Sequence, residues 1–134
     1  MPHLVILYSG NLEGAADFDE LCRVLADEML KARDEKGHHV FPPGGVRVFA
    51  YPATHYAISD GKRDYAFAYL NLRMGRGRSA PVQAAAGEKL LGIARTFLEP
   101  LLNERLLGVT LQIDEGQEVF SGRFGNIHPL FRDP

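Results

Sequence analysis

The spacing of apolar residues along the chain predicts strand, helix, strand, and then the same order again. Leu4-Val5-Ile6-Leu7, after Pro2-His3, is a continuous apolar run and reads as a buried strand. Residues 9–14 form a turn, and Asp17 with Glu20 three residues later resembles a capping box. Phe18, Leu21, Cys22, Leu25 and Met29 then recur at helical spacing, with Asp19, Arg23, Asp27, Glu28 and Lys31 mostly on other faces. This helix fades into the charged residues 33–36 and Gly37. Residues 42–45, Pro-Pro-Gly-Gly, redirect the chain, and residues 46–51 read as a second strand bounded by Pro52.

Ser59-Asp60-Gly61 supplies a turn into a longer strand over 64–74. Its alternate residues Ala66, Ala68, Leu70, Leu72 and Met74 are uniformly apolar, so they belong beneath helices. The intervening set, Tyr65, Phe67, Tyr69, Asn71 and Arg73, is aromatic and then polar, suited to a pocket or a subunit interface. A second long helix follows, with Ser79 as N-cap, Pro81 in the first turn and a stripe of Ala86, Leu90, Ile93, Ala94, Phe97 and Leu101. Pro100 is expected to kink this helix or split off its last turn. Residues 106–113 form the fourth strand, and the tail from 115 is irregular but rich in large apolar groups, which implies docking on its own domain or on a neighbouring subunit. The fold class is therefore α/β (α+β): two consecutive β-α-β units, residues 2–60 and 61–134, forming one four-stranded mixed sheet with both helices on one face. The other face is left uncovered in a monomer, and this predicts oligomerisation.

Composition narrows the function classes. At 134 residues the chain fits one domain over 1–134, and 46% apolar with 24% charged residues is the balance of an ordinary soluble protein. A formal charge of −2 leaves no footprint for nucleic acid or an anionic membrane. The single cysteine, Cys22, excludes an intramolecular disulfide and reads as a small core hydrophobe. No signal-like or membrane-spanning run occurs, so a cytoplasmic location is expected. His38-His39 lie in a loop without zinc-like ligand spacing, so no metal is expected.

Three features carry candidate chemistry. Pro2 would expose a secondary amine once Met1 is removed, and desolvation beside an apolar strand would lower that amine's pKa toward a useful base. The alternative is an ordinary buried strand that begins with proline. Arg47 interrupts an apolar strand, either at an edge with its head in solvent or aimed into a cleft to bind an anion. Arg76 and Arg78 precede a helix N-terminus, where an anion site and a pair of solvated loop charges are both open readings. The segment Gly75–Ala80 also matches G-x-G-x-x-A, but it lies in the second half of a chain short for a doubly wound sheet, with no acid at the expected distance. No nucleophile elbow is present.

Several stretches, in order, then carry a family resemblance: Pro2-His3, Phe41-Pro42 through Gly45-Val46-Arg47, Asp60-Gly61, Asp64-Tyr65-Ala66-Phe67, Gly75-x-Gly77-Arg78-Ser79, Arg105-Leu106-Leu107 and Asn126-Ile127-His128-x-Leu130-Phe131. Together they resemble the 5-carboxymethyl-2-hydroxymuconate Δ-isomerase family of the tautomerase superfamily. That resemblance implies a cytoplasmic homotrimer acting in homoprotocatechuate catabolism on a carboxylated enol, with no metal or organic cofactor. It also implies that Pro2 is the catalytic base and that Arg47 and Arg78 bind substrate. Two departures stand out: where the family's pattern has a further arginine two residues beyond Arg47 this chain has Phe49, and the segment leading to Pro43 is longer. A tautomerase for a smaller enol and a non-catalytic oligomeric module that binds small acids are the alternatives.

Overall fold

The computed structural model describes residues 2–131. Met1, on whose removal the amine depends, lies outside the described residues, as do residues 132–134. The main elements are β1 (His3–Ser9), α1 (Phe18–Lys31), β2 (Val48–Ala53), β3 (Tyr65–Met74), α2 (Ala80–Leu102) and β4 (Leu106–Glu115). One mixed sheet has the order β2-β1-β3-β4. β1 runs parallel to β2, β3 parallel to β4, and the two inner strands pair antiparallel. Two β-α-β units thus meet along the β1–β3 ladder, as the sequence predicts.

Alternation places the core on one face of this sheet. Leu4, Ile6, Ala66, Ala68, Leu70 and Leu72 are buried against Leu21, Leu25 and Met29 of α1 and Leu90 and Ala94 of α2. On the other face Leu7, Phe49, Tyr51, Phe67 and Leu106 each stay 45–51% exposed. A sheet face with this much accessible apolar surface is left for something outside the described chain to cover.

Local signals set the helix starts. The Asp17 carboxylate accepts from the Glu20 backbone N–H at 3.1 Å, and the Ser79 hydroxyl accepts from Val82 N–H at 3.3 Å. Replacing Asp17 by alanine is expected to cost about 1 kcal/mol, the usual worth of an N-cap, read as a lower midpoint in urea unfolding with an unchanged slope.

Two expectations are corrected. The second strand is Val48–Ala53 rather than 46–51, so Arg47 precedes it. A short 3₁₀ turn over Pro43–Gly45, closed by the Val46 N–H on the Pro43 carbonyl at 3.3 Å, occupies the approach. The strand continues through Pro52 because it is an edge, where proline's missing N–H can face outward. Second, α2 keeps its last turn, running past Pro100 to Leu102 instead of splitting there, and Leu98, outside the predicted stripe, is fully buried.

Beyond the C-terminal end of β1, a polar staple joins the two halves. The Asn11 amide donates to Asp64 Oδ1 at 2.9 Å and to the Tyr65 carbonyl at 2.7 Å, while Arg105 donates to the Asn11 carbonyl at 3.0 Å and to Asp64 Oδ2 at 3.1 Å. The Asn11 amide first, and then Arg105, hold the Asp64 carboxyl below its ordinary range against a smaller desolvation effect. A carboxyl whose pKa is lowered by folding contributes stability above its unfolded pKa and loses it as pH falls through the folded one. The melting difference between wild type and Asp64→Asn is therefore expected to be largest near neutrality and to close below about pH 4.

Candidate functional site

The N-terminal end of β1 is where the singled-out residues gather. Pro2 is buried one residue before that strand. It shares strand parity with Leu4, so its ring belongs to the helix-covered side, and its nitrogen ends the chain only once Met1 is removed. A buried residue is the setting in which a freed amine would lose its proton more readily than in water.

Arg47 arrives from the loop between α1 and β2. Its carbonyl accepts from the Leu4 N–H at 3.0 Å, which fixes its backbone beside the start of β1. Its guanidinium donates to the Gly45 carbonyl at 2.9 Å and reaches the His3 Nδ1 at 3.3 Å. Arg47 is half-buried, with its guanidinium over the start of β1.

Arg78 arrives from the turn between β3 and α2, where Gly77 has φ +124°, a conformation that favours glycine. Its Nε donates to the Val40 carbonyl at 2.8 Å and its Nη1 to the Gly75 carbonyl at 3.2 Å. The guanidinium carbon lies 5.5 Å from the centroid of the Phe41 ring, within cation–π range. Desolvation lowers the Arg78 pKa from its ordinary value, opposed by the charge of Glu115. Both arginines are thus tied to the 40–47 segment, Arg47 from within it and Arg78 from outside, and that segment flanks Pro2's strand. Arg76 is exposed in its loop.

The rest of the chain offers less chemistry. Burial pushes the Cys22 thiol up from its ordinary range, so it is a weak nucleophile that packs against the core. Desolvation and the Glu13 hydrogen bond push the Tyr8 hydroxyl up to about 12, so it stays neutral. Among the described residues no group of three or more His, Cys, Asp or Glu is placed to hold a metal ion, and no helix is long and apolar enough to cross a membrane.

The tail closes over the same end. A short 3₁₀ turn, His128–Phe131, packs on Pro43–Gly45. A Cβ at Gly44 would come within 2.7 Å of the His128 Cα, so glycine is what permits the approach. The docking expected for the tail is therefore partly on its own chain, whereas Val119 and Phe124 stand fully exposed. Sequence reasoning passed over three contributors: His3 as the contact of Arg47, Val40 as the acceptor for Arg78, and Arg73, directly across the β1–β3 ladder from His3. Only Arg73 left a signal, as a charge at the end of an aromatic face.

This arrangement can be set beside known proteins. A solved structure of a 5-carboxymethyl-2-hydroxymuconate delta-isomerase is 57% identical, superposes with a TM-score of 0.95, and is matched over 100% of this chain and 95% of its own. The 5-carboxymethyl-2-hydroxymuconate Delta-isomerase of Escherichia coli is 28% identical over 132 residues, 98% of this chain and 100% of that protein. A fused 4-OT described as a symmetric trimer, at 18% identity and a TM-score of 0.55 over 97% of this chain and 99% of its own, shares the fold. The family model for 5-carboxymethyl-2-hydroxymuconate isomerase matches residues 2–131, the whole span over which the sheet, the two arginines and the docked tail are laid out, and the chain belongs to that family.

Proposed function

We propose that this chain is a cofactor-independent isomerase that moves a proton along a 2-hydroxymuconate-type dienol, 5-carboxymethyl-2-hydroxymuconate being the substrate its relatives' names suggest. What supports the reading is a buried Pro2 before β1, Arg47 against His3 at the start of that strand, and Arg78 after β3, tied to the 40–47 segment. With Met1 removed, the Pro2 nitrogen takes the proton of the 2-hydroxyl, the oxygen becomes the ketone, the C2=C3 pair moves to C3=C4, and the C4=C5 pair is left at C5. The same nitrogen returns the proton at C5, which leaves the remaining double bond conjugated with the ketone. One O–H bond breaks and one C–H bond forms, so the reaction balances as an isomerisation without any co-reactant.

Arg47 and Arg78 clamp substrate carboxylates, and whichever lies near the 2-oxygen also stabilises the negative charge that grows there. Their positive field further disfavours a protonated amine. The open apolar sheet face supports self-association, and the trimer of the fused 4-OT makes a homotrimer the expected assembly. A role in homoprotocatechuate breakdown and a cytoplasmic location belong to the same proposal.

An ultraviolet assay on protein whose N-terminus is shown by intact mass to be Pro2 tests it. The dienol absorbance is expected to decay faster with enzyme than without. Processed protein that binds the compound but does not accelerate ketonisation would instead identify a small-acid-binding module, and turnover of monocarboxylate enols alone would identify a different tautomerase.

A further inference from the structure

A third cation stands at the same end of the sheet. Arg73 lies across the β1–β3 ladder from His3, and among the described residues its guanidinium makes no hydrogen bond or ion pair. The acid opposite it on β4, Asp114, accepts from the Asn71 amide at 2.7 Å instead of pairing with Arg73. His3 and Arg73 line a cavity of about 320 Å³ together with Met74, Gly116, Gln117 and Glu118. The volume is at the small end of ligand pockets. Arginine can only donate, so the His3 Nδ1 facing Arg47 is an acceptor and the neutral ring carries its proton on Nε2. His3 therefore offers the cavity wall a second donor beside Arg73.

A muconate has two carboxylates and a carboxymethyl branch adds a third, whereas Arg47 and Arg78 supply two cations. Resting on the isomerase reading above, the geometry points to Arg73, with the His3 Nε2–H, as the subsite for the third carboxylate, and so to Arg73 as the residue that sets preference for tricarboxylate over dicarboxylate enols. Glu118 opposes this from the same cavity, because a carboxylate there repels an incoming one. It also keeps the empty subsite near neutral.

The readout is the ratio of kcat/KM for 5-carboxymethyl-2-hydroxymuconate to that for 2-hydroxymuconate, the same skeleton without the branch. Arg73→Gln is expected to lower this ratio by about ten- to a hundredfold, the worth of one charged hydrogen-bonding partner. Arg73→Lys keeps the charge and is expected to keep most of the ratio, while Glu118→Gln raises it. A ratio that stays within about threefold in Arg73→Gln, or that falls as far in Arg73→Lys, overturns the assignment. Melting curves identify a variant that has failed to fold, and in that event the lysine and Glu118 variants decide. If wild type turns over neither compound, the isomerase reading fails by itself. The subsite is then read by calorimetric binding of propane-1,2,3-tricarboxylate against glutarate to wild type and Arg73→Gln. Wild-type preference for the tricarboxylate that Arg73→Gln loses upholds it, and equal or absent binding overturns it.

Discussion

Replacing Pro2 by alanine is expected to lower kcat on 2-hydroxymuconate-type substrates by about a hundredfold or more, the usual contribution of a positioned general base. Alanine at this position still leaves an amine after Met1 is removed, so the loss would not come from deleting the base. It would come from releasing it. Proline's ring ties the nitrogen to the side chain that fills the buried position before β1, and without it the nitrogen turns, gains water and recovers a proton at neutral pH. KM is expected to move much less, since Arg47 and Arg78 keep their contacts. The wild-type rate is expected to fall as pH drops through the amine pKa, and in mixed preparations activity should scale with the fraction that begins at Pro2. Undiminished turnover in the alanine variant, or full activity with Met1 retained, would remove Pro2 from the mechanism.

How far such a site can be read from sequence depends on which contacts are local. The Asp17 and Ser79 caps were legible because each acts on a backbone N–H three residues away. The core face of β3 was legible because alternation is a property of the strand itself. The bounds of β2 were not, since pairing with β1 begins only where the turn over Pro43–Gly45 releases the chain, and an edge position for Pro52 is visible only once the strand order is known. The same divide runs through the site. Arg47 and Arg78 stood out as cations in apolar and glycine-rich settings, but what they touch lies 44 and 38 residues away, at His3 and Val40. Arg73 stood in plain view at the end of an aromatic strand face. Its setting appears only when β3 is laid antiparallel to β1 and His3 falls opposite.

Arg78→Ala should be the second most damaging change, lowering kcat/KM by about a hundred- to a thousandfold, the range seen when a donor to a developing oxyanion is removed. Two duties meet in this side chain, and they can be separated. One is structural: the guanidinium ties the Val40 carbonyl to the Gly75 carbonyl and covers the Phe41 ring, so its loss frees the 40–47 segment that carries Arg47. The other is electrostatic, since partial burial, which lowers its pKa, leaves the guanidinium less screened by water and lets it act more strongly on a bound carboxylate. Lysine supplies the charge as a single point and cannot reach both carbonyls while facing substrate. Arg78→Lys is therefore expected to recover part of the melting temperature lost in Arg78→Ala but to stay at least about tenfold below wild type in kcat/KM. If lysine restored activity in full, charge alone would suffice and the fork geometry would be irrelevant. If alanine lowered the melting temperature but left kcat/KM intact, Arg78 would be only a tie between the loop and the β3–α2 turn, and the clamp would have to be built from Arg47 and Arg73.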